Sequence, residues 1–261
     1  MRENIKVSII TPSFNQGQFI EETILSVLNQ TYENIQFIIV DGGSTDHTMN
    51  VINRYRDKID IIINENDNGQ SDAINKGFKL AEGTLVGWLN SDDILYPNCV
   101  QKIVELYYEN QDGAIFYNST NNLIDVKSKI YRLYSIKIKN KNTLLNVNYS
   151  VIQQGSFYNR EYVKKVGYLD CSLYYCMDLD LWLRLLNHGK IYYLEDDSPT
   201  SAFRIHSTTK TSTGGTMFLR EIRNVLLKQG AKFFSKTVLQ TLWYNLKCRI
   251  KFGIFFTLRM K

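Results

Sequence analysis

The chain has 261 residues, a net charge of +5, and a composition that is 44% hydrophobic and 22% charged, which predicts a soluble globular protein of one large domain or one domain with an appendage. No segment approaches the roughly 18 consecutive apolar residues of a transmembrane helix, and the polar N-terminus predicts no signal peptide. The four cysteines lack CxxC spacing, so we expect reduced thiols and a cytoplasmic protein rather than a disulfide framework.

Strand-like and helix-like segments alternate along the first hundred residues. Apolar runs at residues 7–10, 37–40, 59–63 and 84–89 predict strands, and the amphipathic segments between them predict helices. This alternation predicts a doubly wound α/β sheet with parallel strands. The loops TPSFNQ, DGGSTD, NDNGQSD and NSDD all follow strands, at the edge where such sheets bind ligands.

The second half of the chain carries less regular signals. A predicted helix over about residues 99–110 precedes a strand, AIFY, and the alternation in KIYRLYSIKIK suits a hairpin. Denser motifs follow within residues 151–206, namely VIQQGSFYNR, the helical MDLDLWLRLLNHG and the strand-like FRIH.

The C-terminal segment is strongly basic. Residues 218–261 hold ten Lys or Arg and a single acid, Glu221, and from Phe234 onward apolar residues recur every four positions. This pattern predicts an amphipathic helix, which fits either an anionic membrane surface or the surface of the domain. A nucleic-acid partner is disfavoured because no nucleic-acid-binding motif accompanies the charge. We therefore divide the chain into a domain of residues 1–217 and a basic helical extension of residues 218–261.

Acids in the loops after the strands are the first candidates for chemistry. Asp41 ends the second strand, where it would accept hydrogen bonds from a ribose or a base, or simply start an Asx-turn. Asp72 fits an acid that complements a helix dipole. Asp92 and Asp93 are adjacent like charges, and Mg²⁺ or Mn²⁺ would relieve their repulsion and neutralise a leaving diphosphate. The alternative is a capping pair before the next helix.

The runs VSIITPSFNQGQFIEETILSVLNQTY…FIIVDGGSTDHT and GQSDAINKGFKLAEGTLVGWLNSDD resemble the N-terminal signature of the family-2 glycosyltransferases. The resemblance implies the GT-A fold, a Rossmann-like and mostly parallel central sheet with flanking helices, and sugar transfer from a nucleotide sugar with inversion. The donor-binding residues that it implies are Pro12, Phe14, Asp41, Asp72, Ser91 and Asp92. NSDD corresponds to the DxD-type metal motif, with Asp92 as the direct ligand and Asp93 and His206 as further ligands. Asn90 stands where many members carry an acid.

The resemblance also assigns the second half of the chain. MDLDLWLRL resembles the ED-type motif, which makes Asp178 the base that deprotonates the acceptor hydroxyl, although Met177 replaces the usual Glu. Asp180 is the competing candidate, and it lies about 200° around the helix from Asp178, so both cannot face one substrate. The acceptor-binding residues that the resemblance implies are Gln154, Gly155 and Trp182, with Gln153 beside them and packing as the alternative for Trp182.

We therefore expect an inverting, metal-dependent hexosyltransferase that moves a sugar from a UDP-sugar to a glycan. The expected acceptor is lipid-linked, in assembly of a bacterial surface polysaccharide such as a capsule or O-antigen, at the inner face of the cytoplasmic membrane. A nucleotidyltransferase would need a basic residue in TPSFNQGQ, which has none. A non-catalytic sugar-nucleotide- or polysaccharide-binding subunit is the second alternative, suggested by Asn90 and Met177.

Overall fold

The computed structural model describes residues 4–195 and 198–259, with side chains up to residue 247. In these residues, the strands form two sheets: β1 (Val7–Ser13), β2 (Ile35–Asp41), β3 (Ile61–Asn64), β4 (Leu85–Trp88), β5 (Ile94–Leu95), β6 (Gly113–Asn118), β7 (Thr120–Ile124), β8 (Ile130–Ser135), β9 (Phe157–Asn159), β10 (Lys190–Leu194) and β11 (Ser201–Arg204). The helices are α1 (Ile20–Leu28), α2 (Thr48–Arg54), α3 (Gln70–Leu80), α4 (Cys99–Glu109), α5 (Lys141–Asn146), α6 (Arg160–Lys165), α7 (Met177–Leu185), α8 (Lys210–Thr213), α9 (Gly215–Lys228) and α10 (Lys236–Arg259).

The main sheet has seven strands in the order β10-β6-β9-β4-β1-β2-β3. All neighbours pair in parallel except β9, which runs antiparallel to both β4 and β6. The parallel pairs β1–β2, β2–β3 and β1–β4 confirm the sheet predicted from the alternating pattern. The strand predicted over residues 59–63 begins two residues later, at Ile61.

The two faces of this sheet are covered by separate apolar clusters. Ile9 belongs to the cluster under α1, α2 and α4, whereas its neighbour Ile10 belongs to the larger cluster with α3, α7 and α9. Successive residues of a strand point to opposite faces, so an unbroken apolar run can fill both layers. Each such Ile or Leu contributes about 1.5–3 kcal/mol when fully buried.

The register of the strands brings their loops to one edge. Ser13 of β1 lies opposite Asp41 of β2, and Asp41 lies opposite Asn64 of β3. Trp88, the last residue of β4, lies opposite Ile10. The four polar loops that follow these strands therefore leave the sheet on the same side.

A second sheet of order β5-β11-β7-β8 follows the loop after β4. The alternating segment predicted as a hairpin supplies β8, the outer strand of an antiparallel hairpin with β7. β11 pairs with both β5 and β7, so Arg204 at its end comes close to the NSDD loop that precedes β5.

The C-terminal helices pack on the domain. Ile222, Val225 and Leu226 of α9, which lie beyond the boundary predicted at residue 217, are buried in the larger cluster. α10 packs along α9 and α5, with Val238 buried, whereas Phe234 is exposed. The predicted apolar stripe is thus divided between a packed face and an exposed face, and its last member, residue 250, lies outside the described side chains. Within the described residues, no helix has the length and hydropathy needed to cross a membrane.

Candidate active site

Asp92 and His206 come together at the sheet edge although they lie 114 positions apart in the chain. The Asp92 Oδ2 atom is 2.9 Å from His206 Nε2, and the Asp92 side chain is 16% exposed. Thr208 Oγ1 lies 2.9 Å from His206 Nδ1, and Phe19 packs against the imidazole ring. These contacts hold a carboxylate oxygen and a ring nitrogen side by side at the surface of the cleft.

Asp93, predicted as a further metal ligand with a capping role as the alternative, is held by protein donors in the structure. Its carboxylate is fully buried and accepts hydrogen bonds from the Arg204 backbone N–H (2.9 Å), Gln154 Nε2 (3.0 Å) and Asn90 Nδ2 (3.0 Å). Burial, together with the negative charge of Asp92, raises the pKa of Asp93 well above its ordinary value. Both oxygens face protein donors, so Asp93 holds the loop in place and leaves the cleft to Asp92.

Arg204 is a residue of the site that the sequence analysis missed. Its side chain is fully buried, with Nε donating to the Asp92 carbonyl (2.8 Å) and Nη2 donating to Glu22 Oε2 (2.6 Å). Its Nη1 donates to the Asp125 carbonyl (2.9 Å) and to Ser128 Oγ (3.0 Å). A fully buried guanidinium needs such partners. The sequence feature that could have identified Arg204 is its place at the end of the strand-like segment, two residues before His206.

Asn90 connects the NSDD loop to neighbouring side chains through hydrogen bonds of its neutral amide group. Its Oδ1 accepts from Gln70 Nε2 (2.7 Å), and its Nδ2 donates to Asp93 and to Gln153 Oε1 (3.2 Å). A carboxylate at this position could not donate the hydrogen bond that Asn90 gives to Asp93, and the two negative charges would repel each other. The amide therefore fits the buried position of Asp93.

The residues predicted to contact the acceptor lie beneath this loop. Gln154 is nearly buried, donating to Asp93 and accepting from Asn121 Nδ2 (3.3 Å). Gly155 adopts φ +69°, and an added Cβ would lie 3.1 Å from Cys99 Sγ. Gln153 Nε2 donates to the Trp88 carbonyl (2.7 Å). In the structure these residues support the loop from inside the protein.

Trp182, expected either to contact the acceptor or to pack, lies in the core. It is fully buried, with Nε1 donating to Tyr158 Oη (3.1 Å) and its ring edge-on to Tyr117 at 5.1 Å. The alternative of packing is what the structure shows.

Asp178 and Asp180 have different surroundings on α7. Asp180 is 2% exposed, pairs with Arg184 Nε at 2.7 Å and accepts from Gln229 Nε2 at 3.2 Å. Asp178 is half-buried in the first helical turn, and its Oδ1 accepts from the Leu179 backbone N–H at 2.7 Å. Burial raises the pKa of Asp178 from 3.8 to about 6. Among the described residues, Asp178 is therefore the acid of this motif with an oxygen, Oδ2, that accepts no hydrogen bond, and its raised pKa suits proton transfer near neutral pH.

The residues predicted to bind the donor lie at or just after the ends of β1 and β2 and in the first turn of α3. Phe14 is exposed and Pro12 is buried at the end of β1. Asp41 is fully buried and accepts from the Ser44 N–H (2.7 Å) and Ser44 Oγ (2.6 Å), as an Asx-type turn requires. Asp72 accepts from the Asn68 N–H (3.0 Å).

Buried hydroxyl groups lie in the same region. Ser91 is nearly buried in the NSDD loop. Ser13 at the end of β1 and Ser71 in the first turn of α3 have buried hydroxyls with no hydrogen-bond partner in the described part of the chain. Buried polar atoms are normally paired, so these two hydroxyls are unusual for a protein interior.

The Asp92–His206 pair can form only part of a metal site. Among the described residues, no group of three His, Cys, Asp or Glu side chains converges on one point. Mg²⁺ and similar cations are commonly held by one or two protein ligands together with water and substrate phosphates. The two adjacent ligand atoms therefore fit a cation that completes its coordination with a diphosphate.

Comparison with known proteins gives one consistent result. A model described as Glycosyl transferase family 2 matches residues 8–167. An uncharacterized glycosyltransferase of Rickettsia prowazekii is 32% identical over 224 residues, which is 82% of this chain and 69% of that protein. An uncharacterized glycosyltransferase of Rickettsia felis is 34% identical over 214 residues, but this chain spans only 34% of its length.

Solved structures share the fold. Staphylococcus aureus TarS in complex with UDP-GlcNAc superposes with a TM-score of 0.70 at 18% identity, covering 95% of this chain and 73% of that one. The mannosyltransferase PcManGT of Pyrobaculum calidifontis, in complex with GDP-Man and Mn²⁺, superposes with a TM-score of 0.66 at 14% identity, covering 95% and 74%. At these identities the likeness establishes the fold.

Proposed function

Since the chain belongs to glycosyl transferase family 2, we propose that it transfers a hexose from a UDP-sugar to a glycan acceptor with inversion at the anomeric carbon. The observation that carries this proposal is the partly buried Asp92–His206 pair at the same sheet edge as the loops that follow β1, β2 and β3. UDP-GlcNAc in the structurally similar TarS supports a UDP-sugar as the donor.

The donor half of the site consists of the sheet-edge loops. Asp92 and His206 would hold the divalent cation, Mg²⁺ or Mn²⁺, and Mn²⁺ in the complex of PcManGT supports that role. Such a cation neutralises charge that develops on a departing diphosphate. Asp72 and the exposed ring of Phe14 would line the nucleotide site, and the buried Asp41 would hold the loop after β2 beside them.

Asp178 would act as the general base. A sugar hydroxyl is a weak nucleophile, so its proton must leave as its oxygen attacks the anomeric carbon. The bond from that carbon to the diphosphate oxygen breaks in the same displacement, and Asp178 keeps the proton. With a pKa of about 6, the Asp178 carboxylate is mostly ionised at pH 7.5 and is still basic enough to accept it.

Two substitutions test these assignments. We expect Asp92→Asn and Asp178→Asn to lower UDP release from UDP-GlcNAc and other UDP-sugars by at least a hundredfold in the presence of Mn²⁺. Asp112→Asn is the matched control, because Asp112 precedes β6 at the opposite edge of the sheet and pairs with Lys190. Near-normal turnover by either test variant would refute its assigned role. Donor binding without turnover by the wild-type protein would favour a non-catalytic binding subunit.

The exposed face of α10 supports a lipid-linked acceptor and attachment to the inner face of the cytoplasmic membrane. Phe234, Leu239, Trp243 and Leu246 are exposed, and Lys247 Nζ lies 3.5 Å from the centre of the Trp243 ring. Aromatic and aliphatic side chains beside basic residues favour the interface of an anionic bilayer. In this setting the acceptor would be an intermediate of surface-polysaccharide assembly.

Vesicle flotation tests the membrane proposal. We expect the full chain to float with phosphatidylglycerol vesicles and not with phosphatidylcholine vesicles. The double variant Trp243→Ser/Leu246→Ser should lose this binding, whereas Leu80→Ser, at an exposed position of α3, should retain it. Equal flotation of the double variant and the wild-type chain would refute a membrane role for this face.

A further inference from the structure

The segment that leads into α7 is anchored by a helix that follows it by more than forty residues. The Glu221 carboxylate on α9 accepts hydrogen bonds from the backbone N–H groups of Tyr174 (3.1 Å), Tyr175 (2.6 Å) and Cys176 (2.9 Å). Cys176 is the N-cap residue of α7, and among the described residues it provides no side-chain cap of its own. Free N–H groups at a helix N-terminus need acceptors, and Glu221 supplies one from α9 to the N–H of the N-cap residue Cys176.

A cation anchors the same segment. Lys210, the first residue of α8, donates from Nζ to the Tyr174 carbonyl at 2.9 Å and lies 4.1 Å from the centre of the Tyr174 ring. Tyr174 is therefore bound through its N–H by Glu221 and through its carbonyl by Lys210. Asp178 follows only four residues later, so the placement of its carboxylate depends on this segment.

We propose that Glu221 and Lys210 are positioning residues for the base Asp178. Together they fix the segment that leads to Asp178, and their charges act on its carboxylate with opposite sign. This inference rests on the proposed role of Asp178 as the base. Neither residue is assigned to touch the substrate.

The two charges act on Asp178 with opposite sign. Several groups face Asp178 or interact with its charge: Glu221 on α9, Lys210 on α8, the phenols Tyr134 on β8 and Tyr158 on β9, and the thiol of Cys176 beside it. The negative charge of Glu221 raises the pKa of Asp178, and the positive charge of Lys210 lowers it. The two phenols and the thiol are neutral at pH 7, because burial raises their pKa values.

Two charge-neutralising variants test the proposal in opposite directions. We expect Glu221→Gln to lower the pKa of Asp178 and Lys210→Gln to raise it, each by on the order of half a pH unit, with the double variant returning close to wild type. The pKa is measured by ¹³C NMR titration of full-length protein labelled at the Asp carboxyl carbons, with the Asp178 signal identified from its loss in Asp178→Asn. The acid limb of kcat/KM for UDP-GlcNAc hydrolysis with Mn²⁺ should move by the same amounts.

Glu161→Gln and Lys190→Gln are the matched controls. Both residues are exposed and lie at the opposite edge of the sheet, so neither should move the titration of Asp178. Equal pKa values in wild type, Glu221→Gln and Lys210→Gln would overturn the proposal, as would shifts of the same sign in both. If Glu221→Gln does not fold, Lys210→Gln decides alone, and the absence of an upward shift overturns the proposal.

The failure of this proposal is distinguishable from failure of the proposed function. The NMR titration needs no turnover, so opposite pKa shifts would support the opposed pair even in a protein without transferase activity. Conversely, Asp178→Asn could be inactive while the pKa of Asp178 stays the same in Glu221→Gln and Lys210→Gln. That result would support Asp178 as the base and refute the role proposed for Glu221 and Lys210.

Discussion

Replacement of Arg204 by Lys should destabilise the protein and loosen the loop that carries Asp92. The substitution keeps the charge but removes the planar fork, which now donates to the Asp92 carbonyl, the Asp125 carbonyl and Ser128 Oγ. A single ammonium group can replace only part of this set. Loss of about two hydrogen bonds from a charged donor, each contributing about 1–1.5 kcal/mol, gives about 2–3 kcal/mol.

The ion pair with Glu22 adds little to this figure. The Glu22 side chain is 53% exposed, and pairs with such exposure contribute about 0–1 kcal/mol. A loss of 2–3 kcal/mol corresponds to a decrease in Tm of about 5–10 °C for a chain of this size. The measurement is urea and thermal unfolding of Arg204→Lys, together with Mn²⁺-dependent binding of UDP, which we expect to weaken because the Asp92 carbonyl loses its donor.

Arg132→Lys is the control for this prediction. Arg132 is exposed on the edge strand β8, so its free energy of unfolding should stay within about 0.5 kcal/mol of wild type. If Arg204→Lys were equally stable, the guanidinium would not be what holds the NSDD loop, and the account of Arg204 given above would be wrong.

Three further substitutions follow from the same contacts. Asp178→Asn should raise the free energy of unfolding at pH 7.5 by up to about 2–3 kcal/mol. The reason is that a carboxyl whose pKa rises from 3.8 to about 6 on folding contributes stability below pH 4, and this stability is lost as the pH rises through 6. Urea unfolding at pH 4 and pH 7.5 should therefore show a gain only at the higher pH. Asp180→Asn should lower stability by about 1–3 kcal/mol through loss of the Arg184 pair while leaving the pH profile of turnover unchanged, and a shifted profile would return Asp180 to candidacy as the base. Gly155→Ala should cost about 1–2 kcal/mol in thermal unfolding, since φ +69° and the nearby Cys99 Sγ both oppose a Cβ, and an unchanged Tm would contradict that reading.

Those features of the fold that depend on local patterns could be predicted from the sequence. Apolar runs such as residues 37–40 indicated parallel strands, and the polar loops after them were correctly expected at one edge. The helix that begins at Met177 was also correctly expected from its apolar spacing. Period and turn chemistry are properties of adjacent residues, so they can be read without knowledge of the fold.

The roles of individual side chains could not be predicted where they depend on distant contacts. Gln154 and Trp182 have the types of side chain that contact sugars, and only the packing of α7 and of the loop before β9 shows that both are buried. Arg204 and Glu221 gained no role from the sequence, because their partners lie far away in the chain. Glu221 lies in residues 218–261, and the interpretation of that segment from its net charge gave its single acid no role.

Two pairs of neighbouring acids show the same division of labour in the site. In each pair one acid is buried and bound by several donors, Asp93 by three N–H groups and Asp180 by Arg184 and Gln229. In the helical pair, Asp178 cannot share the surroundings of Asp180, since the two residues are about 200° apart around the helix. A reactive carboxylate must keep an oxygen free for its ligand, so it cannot also be the carboxylate that holds the loop. The buried acid of each pair serves that second purpose, which explains why two adjacent charges are tolerated at the end of a buried strand.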